Sequence, residues 1–164
     1  MYFDFKNHLK LALGKTLNSL CSAHGVYYPD LFGFAFEKNI QFNLISRSLQ
    51  KSSLSLEYNA YEVGLHDTYR IKPWETKSWK GKSTNVIFHI PSKFVINSIS
   101  LLASKDEEGR IIEEGHIWLN SENSDQLFIR PLGAQCELWL WYNYERLDQF
   151  IKEQDLFVVD KIEK

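Results

Sequence analysis

Imidazole and carboxylate side chains are the first places to look for chemistry in this chain. His89 and His116 each fall in an alternating apolar run, and Glu113 and Glu114 stand just before His116. Imidazole nitrogens joined by a carboxylate suit a divalent metal or an acid–base pair, so His89, His116 and Glu114 outline a metal-dependent enzyme. His66-Asp67 makes a second acid–base pairing, in a segment that reads as a loop. Cys21 and Cys136 are too far apart in sequence for a thiolate zinc motif and too few for a disulfide framework. Cys136 alternates with Leu138 and Leu140, which puts it on a core face rather than in a nucleophile's position. Phosphate-cradling loops, the nucleophile elbow, the paired-histidine zinc motif and C-x-x-C do not occur. The expectation is therefore a protein that is not an enzyme and carries no cofactor.

Three surface features suit binding instead. Asp106, Glu107, Glu108, Glu113, Glu114, Glu122 and Asp125 fall within a window of 20 residues, mostly in turns. Residues 1–105 carry 13 Lys/Arg against 7 Asp/Glu, and residues 106–164 carry 6 against 14, so the net charge of −2 hides a basic part and an acidic part. Clustered carboxylates steer a basic partner, and Glu107, Glu108, Glu113, Glu114, Glu122 and Asp125 are the residues expected to do so. Along Gln135–Tyr144, Cys136, Leu138, Leu140 and Tyr142 share one face while Glu137, Trp139, Trp141 and Asn143 share the other. Burial of the tryptophan face, under an N-terminal helix, is the favoured reading. If exposed, Trp139 and Trp141 would anchor a partner or stack on a sugar. Arg70, Lys72, Trp74 and Trp79 form a third patch, in which cations neutralise phosphates and indoles stack on bases or a small ligand. The acidic total charge argues against nucleic acid as the partner.

The elements that must hold these groups follow from periodicity. Leu9, Leu13, Leu17 and Leu20 repeat at four and three, which predicts one long helix over Asp4–His24 with Cys21 on its buried side. From Tyr27 the period becomes two. Phe32, Phe34 and Phe36, then Ile40, Phe42 and Leu44 after Glu37-Lys38-Asn39, read as a hairpin. Ser46–Ser53 reads as a loop, Leu54–Val63 as a strand, and Gly64–Lys82 as a largely irregular surface segment around a short Tyr69–Ile71 strand. Strands are then expected at Asn85–Ile90, Phe94–Ala103, Arg110–Leu119, Gln126–Arg130 and Gln135–Tyr144, a short helix near Glu145–Gln154, and a last strand at Leu156–Val159. Connections this short force antiparallel neighbours. The fold class is α+β: an N-terminal helix packed on a strand-dominated antiparallel sheet or sandwich of about eight or nine strands. One domain over 1–164 is expected from length. No apolar run reaches the length of a membrane helix, and no secretory h-region follows Met1, so a cytoplasmic location is expected.

The helix leading into Tyr28-Pro29-Asp30-Leu31-Phe32-Gly33-Phe34-Ala35-Phe36, followed by Tyr69-Arg70-Ile71-Lys72-Pro73-Trp74-Glu75, resembles a layout found in immunity proteins of bacterial polymorphic-toxin and contact-dependent inhibition systems. The resemblance covers at most the first 80 residues. It implies a protein that binds a cognate toxin domain, often a nuclease, and occludes it without catalysis, with a protein as its partner. A carbohydrate- or small-ligand-binding β-sandwich is the alternative, and the histidine-based enzyme a third.

Overall fold

The computed structural model describes the backbone of residues 6–7, 9–21, 26–27, 34–37, 39–63, 66–73, 86–132 and 137–163, with side chains over 6–7, 9–21, 40–54, 88–110, 115–130 and 139–163. The strands are β1 (Thr16–Cys21), β2 (Val26–Tyr27), β3 (Phe34–Glu37), β4 (Asn39–Ile45), β5 (Lys51–Val63), β6 (His66–Pro73), β7 (Val86–Lys105), β8 (Ile111–Ser121), β9 (Gln126–Leu132), β10 (Glu137–Tyr142) and β11 (Leu156–Glu163). An α-helix, α1 (Leu147–Glu153), joins β10 to β11. The expected α+β, antiparallel and strand-dominated class holds, with more strands than the eight or nine counted from the sequence.

Among the described residues every pairing is antiparallel, in the order β2-β3-β10-β9-β8-β7-β1-β4-β5-β6, and β11 joins β7 off this path. The 20-residue β7 organises it. Its first half pairs with β1, and its second half pairs with β8 and β11. The path is thus two sheets that share one long strand, and their inner faces meet. Leu17, Leu20, Phe42, Leu44 and Leu54 of the first sheet lie in one buried cluster with Ile99, Ile117, Leu127, Ile129, Leu140 and Ile162 of the second. The second sheet is covered on its outer face as well, where Leu102, Phe128, Trp141, Leu147 and Leu156 form a separate cluster beneath α1.

Four sequence expectations are corrected. The long N-terminal helix is not formed: helical backbone ends in a 3₁₀ turn at Lys10–Ala12, and Thr16–Cys21 is strand. A register shift between Leu17 and Ser19 explains the misreading, because it turns Leu17 and Leu20 to the same face of β1. A strand with such an irregularity reproduces the three-residue spacing of a helix. Second, Val86–Ile90 and Phe94–Ala103, expected in separate strands, belong to one strand. On β1 the step from Leu17 to Ser19 faces the step from Phe94 to His89 on β7, so residues 90–93 bulge out of the ladder. Pro91, which has no N–H to give, sits in that bulge. Third, β3 and β4 do not form a hairpin. β3 pairs with β10 and β2, and β4 with β1 and β5, so the chain passes from one sheet to the other between Glu37 and Asn39. Fourth, His66–Pro73 is not loop but strand, in tight register with β5 from Val63↔His66 to Leu56↔Pro73. β5 likewise begins at Lys51, inside the expected loop.

Candidate binding surface

The acidic run is held by two hairpin turns at opposite ends of β8. Asp106–Arg110 links β7 to β8, and the turn closed by Ser121 and Asp125 links β8 to β9. The rise along β8 places these turns about 30 Å apart. The structure therefore separates what the sequence clusters. Glu107 and Glu108 occupy one end, with Glu113 and Glu114 following at the start of β8, in register with Ser104 and Ala103. Glu122 and Asp125 occupy the other end.

The first turn is built by Asp106. Its carboxylate accepts from the Glu108 and Arg110 N–H groups at 3.0 and 2.9 Å, and from Arg110 Nε at 2.8 Å. The Arg110 backbone N–H is the main reason the Asp106 carboxyl stays below the usual carboxylate range, and the Arg110 side chain adds to it. Gly109 takes φ 79°, and Arg110 also pairs with Glu108 at 3.0 Å. Glu107 and Glu108 are both exposed at the apex.

Asp125 has a different use. It accepts from Ser92 Oγ, from Tyr142 Oη at 3.1 Å and from Asn143 Nδ2 at 2.9 Å, so it ties β7, the β8–β9 turn and the end of β10 together. Those donors, Ser92 first and Asn143 next, hold its carboxyl below the usual range, while burial pushes the Tyr142 phenol up. The sign of the pH effect follows. A carboxyl lowered by folding contributes stability above its unfolded value, and that contribution is lost as the pH falls through the folded value. Asp125→Asn is therefore expected to cost about 1–2 kcal/mol at neutral pH and progressively less below about pH 4, as urea titrations at pH 7 and pH 3 would show. A cost that does not change with pH would rule out the charged clamp.

On the outer face of the second sheet, Trp118, Phe128 and Trp141 stand in register across β8, β9 and β10, and Arg130 stands opposite Trp139. Phe128 is fully buried, 5.9 Å from the His116 ring, 6.0 Å from Trp141 and 5.9 Å from Phe150 of α1. Trp141 is 9% exposed and also meets Phe150 at 5.6 Å and Tyr144 at 6.3 Å. Trp141 is buried as expected, but the covering helix is α1, not an N-terminal one, and Asn143 of the same face is exposed. Trp139 and Trp118 are half-buried beside it. The Arg130 guanidinium lies 5.2 Å from the Phe150 ring centroid.

The histidines do not converge. His89 is exposed in the first half of β7, whereas His116 is fully buried on β8 opposite Leu102 in the second half. With the bulge at residues 90–93 taken out, roughly 30 Å of strand separates these two positions on β7. Among the described residues no group of three His, Cys, Asp or Glu is placed to hold a metal ion. Arg70 and Lys72 lie on β6, opposite Asn59 and Glu57. Trp74, Trp79 and Cys136 lie outside the described residues.

One polar group was hidden by its own pattern. Gln41 and Asn43 alternate with Ile40, Phe42 and Leu44, which reads as a solvent face. Instead His89, Ser19, Asn43 and Ser53 form one row across β7, β1, β4 and β5, and all but His89 are buried. Asn43 Nδ2 donates to Ser19 Oγ at 2.9 Å and contacts Cys21 Sγ at 3.7 Å, and its Oδ1 accepts from Gln41 at 3.0 Å. Cys21 is buried as expected, although in a strand.

Compared with protein-family models, curated proteins and solved structures, the chain matches none.

Proposed function

We propose that this chain is a non-enzymatic binding protein of the immunity type, which engages a basic toxin domain and blocks it. The observation that carries the reading is the Asp106–Arg110 turn. Its internal hydrogen bonds fix the backbone and present Glu107 as an exposed anion at a hairpin apex, with Glu108 exposed beside it and paired to Arg110. Glu113 and Glu114 begin the neighbouring strand and extend the acidic stretch. Such a cluster raises the association rate of a cationic partner without needing a pocket. Asp125 takes no part, because its oxygens are already engaged, and Glu122 lies at the far end of β8. Trp139, half-buried at the margin of α1, adds an aromatic surface to the contact. A sugar ring stacked on Trp141 would have to displace that helix.

The test combines capture with rescue. Immobilised wild-type chain is expected to retain a basic protein from its native host at low salt and to release it as salt rises. The double variant Glu107→Lys, Glu108→Lys is expected to associate at least tenfold more slowly. Expression of the captured protein should arrest growth unless this chain is co-expressed. Unchanged association by the double variant overturns the acidic surface, and a harmless partner overturns the immunity role.

A further inference from the structure

Unsatisfied hydrogen-bonding groups collect in one place on the outer face of the second sheet. Ile99, Leu101, Ile117, Leu119 and Leu127 turn into the buried cluster between the sheets, so the residues that alternate with them turn outward. They lie in two register rows. Ser98, Asn120 and Gln126 stand opposite one another across β7, β8 and β9, and Ser100 stands opposite Trp118 in the next row. Ser98 and Ser100 are only 7% and 4% exposed, and Trp118, Asn120 and Gln126 are half-buried. Yet none of these side chains has a hydrogen-bond partner among the described residues, the Trp118 indole N–H included. Polar clusters elsewhere are closed: the Asp106 and Asp125 carboxylates and the Asn43 amide are each bonded to groups of the chain itself. Buried hydroxyls and amides left unpaired cost stability, so their concentration on one face calls for a group from outside the fold.

We propose that these two rows are a binding site for a neutral saccharide, stacked on the Trp118 indole and hydrogen-bonded by Asn120, Gln126 and the two serines. The surroundings set the charge of the ligand. The two rows hold no ionisable side chain across β7, β8 and β9. On the β11 side Lys161 stands opposite Ser100 and Glu163 opposite Ser98, and these two neutralise each other in an ion pair at 2.5 Å. A phosphate or a cation therefore finds no counter-charge here. Sugar hydroxyls both donate and accept, so one ligand class meets serine hydroxyls, carboxamides and an indole N–H together. A pyranose also offers a C–H face to an aromatic ring. Strand spacing makes the row from Ser98 to Gln126 about 10 Å long, enough for more than one sugar unit. Trp141 lies two strands from Trp118 and beneath α1, so this site needs no displacement of the helix. It shares no residue with the acidic turn and is independent of the immunity reading.

The test titrates the full chain with neutral hexasaccharides of glucose, mannose, xylose and N-acetylglucosamine, read by tryptophan fluorescence and calorimetry at low and high salt. At least one is expected to bind, with a Kd that salt does not change. Asn120→Ala and Gln126→Ala should each weaken that binding at least tenfold. Both should keep Tm within about 2 °C of wild type, because neither amide holds another part of the chain. Trp118 also packs against the cluster beneath α1, so Trp118→Phe, which keeps a ring there, is the variant to use, and it should weaken binding as well. Glu107→Lys combined with Glu108→Lys should bind sugar as wild type does. No binding of any of these sugars at millimolar concentration, binding unchanged in both amide variants, binding lost as salt rises, or a larger fall in Tm in the amide variants would each overturn the proposal.

Discussion

Phe128→Ala is expected to remove about 3–5 kcal/mol of stability, because it empties a fully buried aromatic site. The location makes the upper part of that range the expectation. Phe128 lies between His116 and Trp141 and meets Phe150 edge to face, so with Trp141 its ring seats α1 on the second sheet. A helix of seven residues does not persist in water by itself. It is held by buried Leu147 and half-buried Phe150 and Ile151. Removing the ring beneath it should therefore loosen α1 as well as leave a cavity, and Trp141 should become wetted. Urea unfolding would give the loss in stability, and a red shift of tryptophan emission in the folded baseline would report the loosened helix. A loss below about 1 kcal/mol with unchanged emission would mean that the aromatic layer is not one packed unit.

The sequence discloses the class of this fold more readily than its connections. Alternation located most strands, and it placed Leu140 on one face of β10 and Trp141 on the other, as observed. It failed where a strand departs from regular pairing. The irregularity in β1 turns Leu17 and Leu20 to the same side and imitates a helix. The bulge at residues 90–93 lets Pro91 interrupt the pattern without ending the strand. Adjacency also misled: Phe34–Glu37 and Asn39–Ile45 are neighbours in sequence but enter different sheets. The acidic surface shows a similar limit. Glu108 and Glu122 are close in the chain, yet an 11-residue strand carries them to opposite ends of β8. Linear density of charge does not report density in space. The left-handed backbone at Leu49 was not legible either, since it is set by the hairpin geometry and leucine carries no turn signal.

Asn43→Asp tests the buried polar row more sharply than a truncation, because it changes charge while conserving shape. The folded chain is expected to be about 3–4 kcal/mol less stable at neutral pH than wild type, and much less affected near pH 4. Asn43 is fully buried, and its amide nitrogen is the donor that Ser19 Oγ accepts from. A protonated aspartic acid keeps one donor and can still satisfy that hydroxyl. An ionised one has none, and must rely on the Gln41 amide and a reoriented Ser19 hydroxyl to replace water around a full charge. Folding therefore raises the carboxyl's pKa. For a group raised in this way, stability is complete below the unfolded value and is lost as the pH rises toward the folded one, by about 1.4 kcal/mol per unit between them. The sign is opposite to that of Asp125, whose contribution disappears on acidification, so the difference between variant and wild type must be taken at each pH. Urea titrations at pH 4, 6 and 8 would give the profile. A constant difference across that range would show that water reaches Asn43, and the row would then line an accessible face of the first sheet rather than a sealed one.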